Sequence, residues 1–137
     1  MSEHPYIKVE EVMSPKVYTI AAKATVREAV EMMRANGVSS LVVERRDEQD
    51  EFGMLVVADI ARGVIAENAS PDRVNVYEIM SKPVLTVAAE MDIRYAVRLL
   101  VRFALSRAVV IDHDRRPVGI VTLRDMVLSH DAAADTA

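Results

Sequence analysis

The chain has 137 residues, of which 51% are hydrophobic and 28% charged, and its net charge is −4. These values fit one compact core, and the acidic balance argues against a nucleic-acid-binding surface, which needs clustered Lys and Arg. Because the chain has no cysteine, disulfides and thiolate metal sites are excluded. No apolar run approaches the length of a membrane span, and residues 1–8 are too polar for a signal peptide. The sequence therefore predicts a cytoplasmic protein that binds neither nucleic acid nor membranes.

The chain opens with a predicted strand and helix. Residues 17–20 favour a short strand, and the residues after them lead into a helix. Thr25 and Glu28 have the capping-box spacing, in which the hydroxyl and the carboxylate satisfy backbone N–H groups at a helix start. An apolar stripe follows at helical spacing. Gly37 predicts the end of this helix, because glycine readily takes positive φ.

A hairpin and a second helix complete the first half of the chain. Residues 40–44 and 52–57 favour two strands joined by a polar turn. Asp59 is a good N-cap for a helix that runs towards Asn68. Residues 69–75, which contain a Ser-Pro-Asp turn signal, predict a linker.

The second half predicts the same order of elements. Asp92 is a good N-cap for a helix with an apolar stripe, and residues 108–111 and 118–121 favour a hairpin. Asp125 is a good N-cap for a closing helix, which we expect to fade by Ser129. Each half is therefore predicted to be a β-α-β-β-α unit.

The second half also repeats the first in sequence. Residues 12–22 recur as residues 79–89, which are 67 positions later, and the offset becomes 66 after the hairpin. A repeat of this length predicts two copies of one unit, each too small to bury a good core alone. The copies must therefore pack together, and a ligand can bind at the seam. We divide the chain into a lead-in, a first repeat, a linker, a second repeat and a flexible tail: residues 1–8, 9–68, 69–75, 76–131 and 132–137.

Three sequence motifs carry a resemblance to a known family. They are the two Met-Ser starts, the segment Gly37-Val38-Ser39-Ser40-Leu41-Val42-Val43, and Gly119-Ile120-Val121-Thr122 with Asp125. With these motifs the chain resembles the CBS (cystathionine β-synthase) domain, and its tandem repeat resembles a CBS pair, or Bateman module. The resemblance implies an α/β fold of two β-α-β-β-α repeats packed as a pseudo-two-fold pair. It also implies a regulatory module that binds adenine nucleotides or adenosyl compounds in two clefts between the copies.

The closing motif has binding chemistry of its own. Thr122 ends a predicted strand and Asp125 begins a predicted helix, where free N–H groups and a partial positive charge attract phosphate. The Thr122 hydroxyl can donate to a phosphate oxygen, the Asp125 carboxylate can accept from both ribose hydroxyls, and Arg124 can reach the phosphates. On spacing alone, an ordinary strand residue followed by an N-cap is an equally good interpretation.

The resemblance implies that each cleft combines the closing motif of one copy with the first two strands of the other. Backbone groups near Tyr18 and Val38 would read the adenine edge in the first cleft, and Ile120 would pack on the ring. For Ile120, ordinary core packing is the better interpretation. Carried over residue by residue, this cleft A comprises Tyr18, Val38, Ser39, Ile120, Thr122, Arg124 and Asp125.

The second cleft departs from the family pattern. Val56 stands where the first cleft has Thr122, and Ala58 stands where it has Arg124, so one hydroxyl and one cation are missing. Arg107 can replace that cation, although a surface role for it is equally open. We therefore predict that cleft A binds nucleotide more tightly than this cleft B, which comprises Asp59, Leu85, Leu105, Ser106 and Arg107.

These predictions describe a ligand-sensing regulatory protein rather than an enzyme. Its expected ligand is AMP, ADP, ATP or S-adenosylmethionine, no cofactor is required, and an unidentified regulated protein would read the bound state. We expect a homodimer in which two CBS pairs meet through their helices. His4, His113 and His130 have no metal-ligand spacing, and neither a catalytic triad nor a Gly-rich phosphate loop is present in the sequence.

Two alternatives stay open. The first is a dimerisation or protein-interaction module that binds no ligand, which the missing polar groups of cleft B favour and the Thr122 motif opposes. The second is an enzyme fragment or detached regulatory domain. We expect the start and the tail to be natural chain ends, which opposes it.

Overall fold

The computed structural model describes the backbone of residues 6–136 and the side chains of residues 6–133. The predicted lead-in and tail therefore lie partly outside the described residues, as does His4. The chain divides into two compact units. We call residues 18–84 the central unit, and residues 6–17 together with 85–136 the outer unit.

The predicted α/β class, with the order β-α-β-β-α in both halves, is confirmed. A short helix precedes each copy, and neither helix was predicted, because four residues are too few for a periodic pattern to show. In chain order the elements are α1 (Val9–Val12), β1 (Thr19–Ile20), α2 (Val26–Asn36), β2 (Ser40–Val43), β3 (Gly53–Val56), α3 (Val57–Ile60) with a π-helical continuation (Ala61–Ile65), α4 (Val76–Ile79), β4 (Thr86–Ala88), α5 (Ile93–Arg102), β5 (Arg107–Ile111), β6 (Pro117–Thr122) and α6 (Leu123–Thr136).

The central unit is built on a three-stranded sheet of order β1-β2-β3. Strand β1 pairs in parallel with β2, and β2 pairs antiparallel with β3, so that Leu41 faces Leu55. Helix α2 begins with the predicted capping box: the Glu28 N–H donates to the Thr25 hydroxyl, and the Thr25 N–H donates to the Glu28 carboxylate at 2.8 Å. The helix ends at Gly37, whose φ of 62° confirms the predicted left-handed stop.

The outer unit repeats this arrangement with the sheet β4-β5-β6. Strand β4 is parallel to β5, and β5 is antiparallel to β6, with Val109 opposite Ile120. Asp92 is the N-cap of α5, as predicted, since its carboxylate accepts from the Arg94 N–H at 3.1 Å. The unit has its own core of fully or nearly fully buried residues: Val9, Val87, Ile93, Ala96, Leu100, Ala108, Val110, Val121 and Met126.

Helix α3 starts three residues before the predicted position. It begins at Val57 and its N-cap is Val56, so Asp59 is the third helical residue rather than the cap. The Asp59 carboxylate reaches back and accepts from the Val56 N–H at 3.0 Å. An acidic residue can thus satisfy a helix start from inside the first turn, which is why its position misplaced the boundary.

Helix α6 differs from the prediction at both ends. It begins at Leu123, so Asp125 lies inside the first turn and Thr122 holds the N-cap position. The helix does not fade by Ser129 but continues to Thr136. The three consecutive alanines after residue 131 explain the extension, because alanine has the highest helix propensity of all residues.

A Met-Ser segment packs on the last strand of each unit. In the outer unit, Ser14 and Ile120 exchange backbone hydrogen bonds of 2.8 and 3.0 Å. A Cβ atom on the neighbouring Gly119 would overlap the Met13 sulfur and lie 2.7 Å from the Ser14 carbonyl oxygen. Glycine therefore makes room for the segment.

The central unit repeats this contact with the second Met-Ser segment. Met54 and Ser81 exchange two backbone hydrogen bonds of 2.9 Å. A Cβ atom on Gly53 would lie 2.9 Å from the Met80 sulfur and 3.2 Å from the Ser81 carbonyl oxygen. The Met-Ser segment that opens one sequence repeat thus packs in the unit that holds the strands of the other.

We expect Gly119→Ala to destabilise the protein more than Gly53→Ala does. At both positions the new methyl group meets a methionine sulfur and a backbone oxygen, but it lies 2.7 Å from the Ser14 oxygen at Gly119 and 3.2 Å from the Ser81 oxygen at Gly53. Overpacking of this kind costs about 1–3 kcal/mol, and we place Gly119→Ala at the upper end. Urea denaturation measures both values. A Gly119→Ala variant as stable as the unchanged protein would contradict the close approach of Ser14.

Candidate ligand-binding site

The strongest candidate site lies at the junction of β6 and α6 in the outer unit. The Thr122 hydroxyl oxygen accepts a hydrogen bond of 3.1 Å from the Asp125 N–H and so caps the helix. The proton of this hydroxyl is not used in that bond and can be donated to a ligand. The Leu123 N–H donates to the Ser106 carbonyl at 2.9 Å, so the Arg124 N–H is the first-turn donor left without a partner within the helix. The Thr122 hydroxyl and this N–H suit an anionic oxygen.

The Asp125 carboxylate is available to a ligand. Its side chain is 38% exposed, and its nearest cation is the Arg124 guanidinium, 3.9 Å away. Among residues 6–133, whose side chains the structure describes, no group donates a hydrogen bond to its oxygens. The carboxylate therefore retains its full capacity to accept from hydroxyl groups, while Arg124 extends into solvent.

Ile120 is 8% exposed and lies in β6, where its backbone pairs with Ser14. It is not among the residues that form the core of the outer unit. Its burial leaves both the ring-packing and the core-packing interpretations open.

Four predicted residues of cleft B also lie in the outer unit, and two of them, Ser106 and Arg107, adjoin the Thr122 motif. The Ser106 carbonyl accepts from the Leu123 N–H at 2.9 Å, at the start of α6. Arg107 is the register partner of Thr122 across β5 and β6, so both side chains project from the same face of the sheet. Leu105 is 40% exposed, and the Leu85 carbonyl accepts from a β5 N–H group. Sequence reasoning missed that Arg107 is a second cation beside Thr122, because the pairing of β5 with β6 sets this proximity.

Asp59, in the central unit, has a different environment from Asp125. Only 7% of Asp59 is exposed. One carboxylate oxygen accepts from the Val56 N–H, and the other lies 3.5 Å from the Arg62 guanidinium. Val56, at the N-cap position, has no hydroxyl to donate. Both oxygens of Asp59 are therefore engaged within the unit.

The three remaining residues of cleft A lie in the central unit. Tyr18 and Val38 are half-buried and pack against its core, and Ser39 is exposed. The Tyr18 carbonyl accepts from a β2 N–H at 2.9 Å, and the Val38 N–H donates to the last turn of α2 at 3.1 Å. The Ser39 carbonyl accepts from the Val57 N–H, as the Ser106 carbonyl does from its counterpart in the outer unit.

No helix in the described part of the chain is both long and apolar enough to cross a bilayer. The side chains of residues 6–133 also contain no group of three or more His, Asp or Glu placed to hold a metal ion.

Comparison with known proteins identifies the family. The CBS domain model matches residues 9–66 and 76–129. The chain belongs to the CBS domain family. An uncharacterised protein of Methanopyrus kandleri is 33% identical to this CBS protein over 122 residues, which are 88% of this chain and 61% of that one.

Solved CBS structures share the fold. The hexameric CBS-CP12 protein from bloom-forming cyanobacteria superimposes with a TM-score of 0.83 and 35% identity, covering 92% of this chain and 69% of that one. The CBS domain pair of MJ0100, in complex with 5′-methylthioadenosine and S-adenosyl-L-methionine, has a TM-score of 0.75 and 24% identity over 93% of this chain and 98% of that one. The curated relatives are longer: this chain spans 61%, 22% and 43% of three of them.

Proposed function

We propose that this CBS domain pair is a regulatory sensor that binds an adenine nucleotide or adenosyl compound at the N-terminus of α6. The free Asp125 carboxylate beside the Thr122 cap is the observation that carries the proposal. A ribose offers two adjacent hydroxyls to such a carboxylate, and a phosphate can accept from the Thr122 hydroxyl and the Arg124 N–H. Each hydrogen bond to a charged group contributes about 1.5–3 kcal/mol.

The ligand class has support from a related fold. The MJ0100 domain pair, which shares the fold, was solved with two adenosyl compounds. In this chain, one hydroxyl and two cations lie near Asp125: they belong to Thr122, Arg124 and Arg107. These groups suit the phosphates of AMP, ADP or ATP. S-adenosylmethionine lacks phosphates but carries the same ribose, so it stays a candidate. No tightly held cofactor is part of the proposal.

The proposal implies that the two predicted clefts bind the ligand with different affinities. Cleft A takes its ribose and phosphate contacts from Thr122, Arg124 and Asp125, with Tyr18, Val38 and Ser39 as the proposed adenine side. Cleft B depends on Asp59, whose oxygens are already bonded to the Val56 N–H and adjacent to Arg62. A ligand in cleft B must share these oxygens with the existing contacts and reach a carboxylate that is only 7% exposed, so we place the tighter site at Asp125.

The proposed role is regulatory rather than catalytic. A ligand changes the conformation read by a partner protein only if it binds one conformation more tightly than another. The curated relative named L-aspartate semialdehyde sulfurtransferase matches this chain over only 22% of its length, so the name of that enzyme does not describe the shared segment. The regulated partner of this chain would be a separate protein or a separate domain.

Helices α5 and α6 provide a surface for the proposed homodimer. They and the turn after α5 expose large apolar side chains in the outer unit, a concentration that is typical of protein–protein interfaces. These residues are Tyr95, Val101, Phe103, Leu105, Val127 and Leu128, each between 40% and 65% exposed. The same surface supports the second candidate function, a dimerisation module without a ligand.

Thermal melts separate the two candidates. A ligand present at 100 times its Kd stabilises the protein by about 2.7 kcal/mol, which raises the melting temperature of a chain this size by about 5–10 °C. We expect such a rise with at least one of AMP, ADP, ATP, S-adenosylmethionine and NAD. No rise with any of them would favour the interaction module.

A further inference from the structure

A second candidate site lies in the central unit, at the opposite end of the sheet from Asp59. Strand β2 begins next to Ser39, which contacts the start of α3, and ends at the turn that contains Arg46. A pocket of about 430 Å³ opens beside this turn. Its lining residues are Ala22, Lys23, Arg46, Tyr77, Met80 and Lys82.

Asp50 holds two cations of the pocket in place. Its carboxylate lies 2.6 Å from the Lys82 ammonium and 3.3 Å from the Arg46 side chain, and it accepts from the Arg46 N–H at 2.9 Å. The hydrogen bonds from Lys82 and from the Arg46 backbone hold the pKa of the Asp50 carboxyl well below its usual range. Asp50 therefore stays ionised and positions Lys82 and Arg46, each of which keeps further N–H groups for a ligand.

Lys23 and Tyr77 also line the pocket, and hydrogen bonds hold the backbone at both positions. The Lys23 carbonyl accepts from the Asn75 side chain at 2.9 Å, and the Tyr77 N–H donates to the Ala22 carbonyl at 3.0 Å. The tyrosine side chain is 53% exposed. Lys23, Arg46 and Lys82 line the pocket with three positive charges, and Asp50 balances one of them, which leaves an excess of positive charge next to Tyr77 and Met80.

The equivalent place in the outer unit has the opposite charge. At the repeat offset, Glu90 stands for Lys23, His113 for Arg46 and Glu10 for Tyr77, and these residues line a pocket of only about 140 Å³. Glu90 and His113 pair with each other at 2.8 Å. The CBS fold therefore does not require cations here, and the basic pocket is particular to the central unit.

We propose that the basic pocket of the central unit binds a small metabolite that carries a phosphate or carboxylate group and a flat apolar portion. The anion takes the free N–H groups of Lys23, Arg46 and Lys82, and the apolar portion lies against Tyr77 and Met80. This site is separate from the Thr122 and Asp125 motif, so it does not depend on the adenosyl ligand.

Amide chemical shifts of the full chain test the proposal, with phenyl phosphate and benzoate as probes at about 150 mM salt, where non-specific attraction is screened. At least one probe should give saturable shifts at Lys23, Arg46, Tyr77 and Lys82, and the better probe identifies the anionic group. The double variant Lys23→Ala/Arg46→Ala should weaken that binding about tenfold or more. Both side chains are exposed, so the variant should fold.

The matched control is Glu90→Ala/His113→Ala, which changes the same positions in the outer unit. It should leave the affinity of the probe unchanged. The proposal is overturned if neither probe gives saturable shifts at the pocket, or if the Lys23→Ala/Arg46→Ala variant binds the probe as well as the unchanged protein.

Discussion

Replacing Asp125 with alanine is expected to remove most adenosyl-ligand binding and to leave the fold intact. The carboxylate is 38% exposed and supports no hydrogen bond from the described residues, so its loss costs the folded protein little. The ligand would lose the acceptor of its ribose hydroxyls. At about 1.5–3 kcal/mol for each hydrogen bond to a charged group, affinity should fall about tenfold to a hundredfold for each bond lost. Isothermal titration calorimetry measures this change directly.

Asp59→Ala is the matched control. It should lower the stability of the protein more than its affinity for the ligand. Asp59 is 7% exposed and accepts from the Val56 N–H at the start of α3, so its removal leaves that N–H without an acceptor and should cost about 1–3 kcal/mol of stability. Binding at the tighter site should change much less than with Asp125→Ala. If Asp59→Ala abolished binding and Asp125→Ala did not, the assignment of the tighter cleft would be wrong.

The second large effect concerns association. Val101→Glu and Leu128→Glu each place a charge on an apolar surface in which the two side chains are 65% and 53% exposed. Burying an unpaired carboxylate in a dimer interface is costly, so either substitution should shift the protein to monomers. Light scattering at micromolar concentration gives the mass.

The matched control for association is Tyr77→Glu. This residue is 53% exposed but lies on α4 in the central unit, outside the proposed interface. The variant should stay dimeric. Monomers in the unchanged protein, or dimers in both the Val101→Glu and Leu128→Glu variants, would contradict an interface on α5 and α6.

Local sequence signals predicted most of the secondary structure because the relevant contacts are local. The Thr25 capping box, the Gly37 stop and the Asp92 cap each depend on residues within a few positions, and the structure has all three. The two short helices could not be predicted in this way. Nor could the contact of Ser14 with Ile120, which joins residues more than a hundred positions apart. The sequence showed that Met-Ser and glycine recur, but only the fold shows that they pack together.

The sequence identified the candidate site residues but could not predict their burial or their hydrogen-bond partners. Asp59 and Asp125 occupy equivalent positions in the two repeats, yet one carboxylate is buried and bonded while the other is accessible. Arg62, three residues after Asp59, was an available signal for this difference, because residues at that spacing are neighbours on a helix. The place of Arg107 opposite Thr122 depends on strand register, which the sequence did not specify beyond the hairpin.

Calorimetric titration of the unchanged protein with AMP, ADP, ATP and S-adenosylmethionine shows whether the chain senses an adenosyl ligand. We predict saturable binding of at least one of them, with one tighter site per chain and a loss of that site in Asp125→Ala. The absence of saturable heat with all four compounds, together with flat melting curves, would contradict a role in adenosyl-ligand sensing.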